Sequence, residues 1–566
     1  MGNEGKKILD MQGADGNVTR RSFLKAGAIA AGVTASIVGC GRKQPAAGDG
    51  SAAATGARLT YYLSNPTCID PYNNADVAGD IVAKQLFDNL TYYDYQKDEL
   101  TPLAAESWES NDDATEFTFH IAKGNTFHNG DAVDAQSFKR GWERVCDPST
   151  NDDPSVQASY YQVIEGYDAM QSGDAKELSG VTCPDDYTLV VKLTIPFGDF
   201  PLITSIASSA PVPQAALDDP AAYGKAPIGN GPFMMDGEWE DGQSINLVRF
   251  EDYKGDKPQI SGVTFSIQKD METGYREFQG GNIDICDVPV SAIESARGEM
   301  EESEDGYTLG DDDKRLAFGD MPGIYFLAVV NTDPVLQDVN LRRAISLAID
   351  RESICETIYQ GTRVPADDIL PKSMPGYQEN AWEYSHYDAD AAKELLDQYY
   401  PADADGKRGI QLKLAFNGDG DHKPIMEAVQ ASLKKVGIDC ELDMMDWGAL
   451  NDAWDAKDYQ ISRFGWQAAY PSPDNIIEQL FKTGNFNNCF NYSNPDVDAA
   501  IDAARAIPDD EERIAAYQEI DKMVQADMPV IPLMSYKLSK AASTRVKHAY
   551  ICPSEATRMT DWVVED

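Results

Sequence analysis

The residue best placed for covalent chemistry is Cys40, which closes Ile37-Val38-Gly39-Cys40. Small residues at Ser36 and Gly39 give a signal peptidase access to the backbone, and the Cys40 thiol can then form a thioether with diacylglycerol. Elsewhere the signatures of catalysis are missing. The chain has no Gly-x-Ser-x-Gly elbow, no His-Glu-x-x-His, no phosphate loop and no Gly-x-Gly-x-x-Gly opening a helix. His120, His128, His386, His422 and His548 are scattered, none with a partner at i+2 or i+4. Asp403-Ala404-Asp405-Gly406 resembles part of a calcium loop, but Pro401 stands at the first ligand position and Leu412 at the closing one, so it reads as a polar turn. Cys-x-x-Cys is absent, and carboxylates are too numerous for any pair to be singled out as acid and base. We therefore expect no catalytic residue, no metal and no cofactor; a secreted hydrolase would need a nucleophile or metal site that the residues do not supply.

The elements around Cys40 form an address. Thr19-Arg20-Arg21-Ser22-Phe23-Leu24-Lys25 matches a twin-arginine export signal, the route that moves folded proteins across a membrane. The apolar run from Ala26 to Val38 is 13 residues, too short to cross about 30 Å of hydrocarbon as a stable helix. Residues 1–39 thus read as a twin-arginine lipoprotein signal peptide and 40–56, rich in Ala and Gly, as a flexible tether. A net charge of −46 becomes −48 without residues 1–39, which hold five cations and three acids. Such a surface repels nucleic acid and anionic lipid alike, so attachment to the outer leaflet has to come from acyl chains on Cys40. Eight cysteines beyond Cys40 permit up to four disulfides, and their wide spacing favours no pairing.

Several local elements are legible. Gln411 to Phe416 alternates as a strand, Met426, Val429, Leu433 and Val436 recur at helical spacing, Gly437 stands where a helix stops, and Ile438, Cys440, Leu442 and Met444 alternate again. Strand, helix, strand predicts a right-handed parallel crossover and an α/β domain. Asn340 is expected to cap a helix through Leu341, Ile345 and Ile349, with Asp350 capping its continuation. Glu116 to Ile121 predicts a strand, Asn129-Gly130-Asp131 a tight turn, and Asp134 the start of a helix carrying Phe138, Trp142 and Val145.

Taken in order, further stretches resemble the extracytoplasmic solute-binding proteins of oligopeptide and dipeptide ABC transporters, family 5. They are Leu90-Thr91-Tyr92-Tyr93, Pro102 to Glu109, Phe117 to Ile121 with Lys123-Gly124 and Phe127 to Gly130, Pro211-Val212-Pro213, Gly229-Asn230-Gly231-Pro232-Phe233 and Asp338 to Arg351. Leu178 to Val181 with Asp185 to Leu189 resembles the oligopeptide branch in particular. The resemblance implies an α/β fold of the periplasmic-binding-protein type II: two lobes closing on a ligand, with an extra third domain. Lobe one would take 57–86, 210–322 and 538–566, the extra domain 87–209, and lobe two 323–537. It implies a monomer that captures a peptide or peptide-like solute and delivers it to the permease subunits of an importer, performing no chemistry. In the family the peptide lies extended as an added strand with its side chains in roomy, wet pockets.

By motif position, the resemblance assigns main-chain contacts to a strand around Asp76-Val77-Ala78 and to Arg463-Phe464-Gly465-Trp466, with Arg463 placed for a ligand carboxylate. Trp466 and Tyr470 are aromatic candidates for the cleft wall, and Gln157 falls near an aromatic contact of the oligopeptide branch. The chain departs from the family at one point. The cleft motif Gly-Trp-x-x-Asp-Tyr reads Gly465-Trp466-Gln467-Ala468-Ala469-Tyr470 here. Ala469 therefore replaces the aspartate that pairs with a peptide's α-amino group, a loss typically costing about 2–5 kcal/mol. Asp474 is the candidate replacement. The alternatives are an N-blocked or amine-free ligand, such as a sugar, opine or metal chelate, or a sensing role on the same fold.

Overall fold

The computed structural model describes residues 56–565 apart from residue 75, residues 151–153 and residues 419–421. Cys40, the paired arginines and nearly all of the tether lie outside them. Arg58–Leu63 lies inside an eight-stranded sheet. Gly262–Ile267 runs parallel to it, Arg58 opposite Gly262 and Leu63 opposite Ile267. Ile285–Asp287 flanks its other side. Lys540–Ala542, from the far end of the chain, is antiparallel to both Ile285–Asp287 and Lys314–Ala317.

A second, six-stranded sheet is ordered Arg363–Pro365, Val530–Lys537, Asp320–Val329, Ile461–Gln467, Gln411–Asn417, Asp439–Met445. The expected crossover is here. Gln411 sits opposite Asp439 in parallel register, and the connecting helix His422–Lys435 buries Ile425, Met426, Val429 and Leu433 against the sheet. Gly437 adopts a φ of +86°, the left-handed stop that favours glycine. A third sheet of four antiparallel strands joins Ala105–Ser110, Glu116–Ile121, Thr188–Lys192 and Val181–Asp185. Helix Ala135–Cys146 covers it with Phe138, Trp142 and Val145 buried, and Asp134 and Ser137 close a reciprocal cap at its start.

The chain passes between the first two sheets through neighbouring segments. Asp320–Val329 pairs with Val530–Lys537 on one side of the crossing, Lys314–Ala317 pairs with Lys540–Ala542 on the other, and Leu538 N donates to Gly319 O at 2.9 Å between them. Two short adjacent crossings leave few dihedrals to resist bending, the construction of a hinge.

Two expectations need correction. The segment at Asp76-Val77-Ala78 is not a strand: Val77–Leu86 is a helix, and Asp76 caps it by accepting from Gly79 N. Ala78, Ile81, Val82 and Leu86 give it a buried face at helical spacing. The helix expected to start at Asn340 runs Val339–Ala348 with Asp338 as its cap, its carboxylate accepting from Asn340 N; Asp350 does cap the next helix, Arg351–Tyr359. The eight described cysteines are all free thiols. Their separate positions in the sheets and helices leave the cores to hold themselves by packing.

The glycines of Gly229-Asn230-Gly231 have a definite task. Gly231 N donates to Leu86 O at 2.8 Å, and a Cβ on Gly229 would sit 1.8 Å from that same oxygen. Only glycine lets this turn close on the end of the Val77–Leu86 helix. That helix is thereby fixed between the first sheet and the third domain.

Candidate functional site

Strand Ile461–Gln467 carries most of the expected site. Its antiparallel pairing with Asp320–Val329 is continuous from Ile461 opposite Val329 to Gln467 opposite Gly323. Its parallel pairing with Gln411–Asn417 covers only Ile461 and Ser462. Beyond Ser462 the two strands part, and Phe464–Gln467 presents a sheet edge with no strand beside it among the described residues. Gly465, opposite Tyr325, is in the middle of that stretch. Arg463 is 2% exposed; its Nε donates to Asn417 Oδ1 at 2.7 Å and its guanidinium lies over Trp447 and Trp454 at 5.1 and 5.3 Å. Close by, His422 Nδ1 is 3.3 Å from Tyr325 Oη. Burial, aided by the Arg463 charge, pushes the His422 imidazole down to about 3, so it is neutral at ordinary pH.

The strand leads into a loop that Asn475 holds in place. Its Oδ1 accepts from Trp466 Nε1 at 3.0 Å and from Ala469 N at 3.3 Å. Trp466 is thus oriented by a hydrogen bond as well as by packing. Tyr470 turns away toward the third domain, joins that domain's core, and meets Tyr160 edge to face with centroids 6.4 Å apart. Gln157 lies one short helix turn earlier, where its Nε2 donates to Asn74 O. Tyr160 is the ring that meets Tyr470 here.

Asp474 lies at the start of helix Asp474–Phe481 and is 1% exposed. Its carboxylate accepts from Tyr517 Oη and, at 3.2 Å, from Tyr470 Oη, while Arg505 Nε is 3.3 Å away. Burial opposes the Arg505 charge, but Asp474 and Glu478 outweigh it and hold the guanidinium firmly protonated. Next to this cluster the third domain is clamped on. Arg513 Nε donates to Asp199 Oδ1 at 2.9 Å, Ser472 Oγ donates to Asp199 Oδ2, and Gly198 N donates to Arg505 O at 2.8 Å.

Ala469 itself lines a small pocket where three parts of the chain meet. Pro471 stands beside it, Asp80 and Lys84 come from the Val77–Leu86 helix, Tyr92, Tyr93 and Tyr95 from the third domain's edge, and Cys552, Ser554 and Ala556 from the far end of the chain. Asp76 and Val77 stand one turn before Asp80. Asp76 is fully engaged, accepting from Gly79 N at 2.7 Å and from Thr67 N at 2.7 Å. Asp80 and Lys84 were not among the expected site residues. Their four-residue spacing on an amphipathic helix is the signal that could have found them. Among the described residues no group of three or more His, Cys, Asp or Glu is placed to hold a metal ion, and no helix is long and apolar enough to cross a membrane.

Residues 99–488 match the family model of the bacterial extracellular solute-binding proteins, family 5 (middle). The oligopeptide-binding protein OppA of Bacillus subtilis (strain 168) is 28% identical over 473 residues, which covers 82% of this chain and 84% of that protein. Among solved structures, the unliganded open form of the periplasmic murein tripeptide-binding protein MppA has a TM-score of 0.77 at 22% identity, covering 90% of this chain and 98% of that one. AgaA from A. tumefaciens R10, in complex with agropinic acid, has a TM-score of 0.68 at 23% identity, covering 90% and 99%. The fold is thus the two-lobed type II arrangement. With the family model spanning more than half of its length, this chain belongs to the bacterial extracellular solute-binding proteins of family 5, which bind a substrate for transport and do not transform it.

Proposed function

We propose that the protein is the lipid-anchored, extracytoplasmic binding component of an ABC importer, which takes an extended peptide or peptide-like solute between its lobes and presents it, as a monomer, to the permease. The observation that carries this reading is the sheet edge at Phe464–Gln467, which has no strand paired beside it among the described residues and leads to the pocket at Ala469. An edge strand offers alternate N–H and C=O groups to an extended backbone, and such pairing is indifferent to side-chain identity. The B. subtilis relative is named for oligopeptide binding. The hinge between the first two sheets supports closure, which a ligand drives only by binding the closed state better than the open one. In this reading the first lobe is 57–86, 210–322 and 538–566, the extra domain 87–209, and the second lobe 323–537. Residues 1–39 direct export and Cys40 carries the acyl chains at the outer leaflet.

Ala469 favours one second reading, an amine-free solute on the same fold; the fold-related AgaA is in complex with agropinic acid. Native mass spectrometry of the purified protein, with fragmentation of the retained mass, separates the two. A ladder of peptides supports the first; one non-peptide mass replaces it with the second.

A further inference from the structure

The pocket at Ala469 lacks the carboxylate of the family motif, so each acid nearby can be asked whether it is open to a ligand. Asp474 is engaged by Tyr517, Tyr470 and Arg505. Asp199 is engaged by Arg513 and Ser472. Asp88 accepts from Arg558 Nη1 and Tyr253 Oη, each at 2.7 Å. Asp76 is engaged in capping. Asp80 differs from all of them. Its Oδ1 accepts from Asn74 Nδ2 at 3.1 Å, and among the described residues no hydrogen bond reaches its Oδ2. Lys84, one turn along the same helix face, directs its ammonium to Ser205 O at 2.6 Å.

We infer that Asp80, reaching into the pocket from the first lobe, takes over the role of the missing acid at position 469 and accepts the primary ammonium of the solute. The inference rests on the reading that the protein binds a peptide-like solute between its lobes. The pocket has room for about 40 Å³. A water molecule claims about 30 Å³ of liquid, and a primary ammonium is of similar size. Asp80 and Ala469 line the same pocket, which places the carboxylate beside the position where the family motif carries its acid. Burial raises the Asp80 carboxyl above its ordinary range, with Lys84 only partly offsetting it. An anion so placed gains most from a cation delivered at close range. The transfer moves the amine contact from the second lobe to the helix fixed by Gly229 and Gly231, so the amine end is held before the lobes close.

Isothermal titration calorimetry with tetra-alanine, N-acetyl-tetra-alanine and N-succinyl-tetra-alanine tests this. Wild type should prefer tetra-alanine over the N-acetyl form by about 30-fold or more. Asp80→Asn should bring tetra-alanine down to the level of the N-acetyl form, and adding Ala469→Asp to that variant should restore the preference. Asp80→Ser, with a thermal melt for each variant, guards against a folding artefact. Tetra-alanine binding as tightly to Asp80→Asn as to wild type overturns the inference and leaves the peptide reading standing. Preference for the succinyl form also overturns it, by showing that Lys84 reads the terminus. No binding of any of the three peptides to wild type removes the peptide reading, and this inference with it.

Discussion

Two acids near the cleft, Asp474 and Asp80, show how different jobs can be given to the same functional group. Asp474 is surrounded by Arg505, Tyr517 and Tyr470, and it ties together elements of the second lobe beside the Asp199 clamp to the third domain. Asp80 has one amide partner and one open oxygen beside a pocket. A carboxylate engaged on every side stabilises the fold and has nothing left for a ligand; one left partly open is a weak element of structure and a strong element of recognition. Nearness to the motif in the sequence pointed to Asp474, whereas hydrogen-bond vacancy points to Asp80.

The contrast can be broken first at the junction. Arg513→Ala leaves Asp199 buried with Ser472 as its remaining partner, and we expect a loss of about 3–5 kcal/mol, read as a lowered melting temperature and an expanded small-angle scattering envelope. An unchanged envelope would show that the clamp is incidental. Asp474→Asn should cost less, about 2–3 kcal/mol in chemical unfolding, because Glu478 remains 3.7 Å from Arg505 to share its charge.

His422 extends the contrast to an imidazole that burial keeps neutral. Its folded value of about 3 lies below the ordinary 6.5, so the unfolded state takes up the proton first as pH falls. Stability should therefore drop between pH 6.5 and 3, by up to about 1.4 kcal/mol per unit, and His422→Asn should flatten that slope. The smallest effect belongs to Asp80. Asp80→Asn should shift the unfolding free energy by no more than about 0.5 kcal/mol, since it removes an anion that burial disfavours and keeps an acceptor for Asn74. A loss as large as that at Asp474 would erase the distinction between the two acids.

The strand, helix and strand from 411 to 445 were legible because their periods of 2 and 3.6 are local, as was the Asp134 cap. The motif residues from Gly465 to Tyr470 stand in one short run, so their order can be read directly from the sequence. The helix at Val77 carries its own local signal, an Asp76 cap followed by Ile81, Val82 and Leu86 at helical spacing, and this periodicity outweighs the extended contact that motif position implies. What Asp474 and Asp80 do was not legible at all. The partners that decide it, Arg505 and Tyr517 for one and the vacancy opposite Ala469 for the other, are brought together only by tertiary packing.

The eight-stranded sheet has a consequence for how the molecule is made. Its Lys540–Ala542 strand lies between Ile285–Asp287 and Lys314–Ala317, so the sheet that begins at Arg58 is incomplete until almost the entire chain has left the ribosome. The six-stranded sheet draws only on residues 320–537 and can assemble earlier. The first sheet therefore waits on pairings between distant parts of the chain, whose loop closure is slow, whereas the second can settle from nearer neighbours and offer the first a surface to close upon.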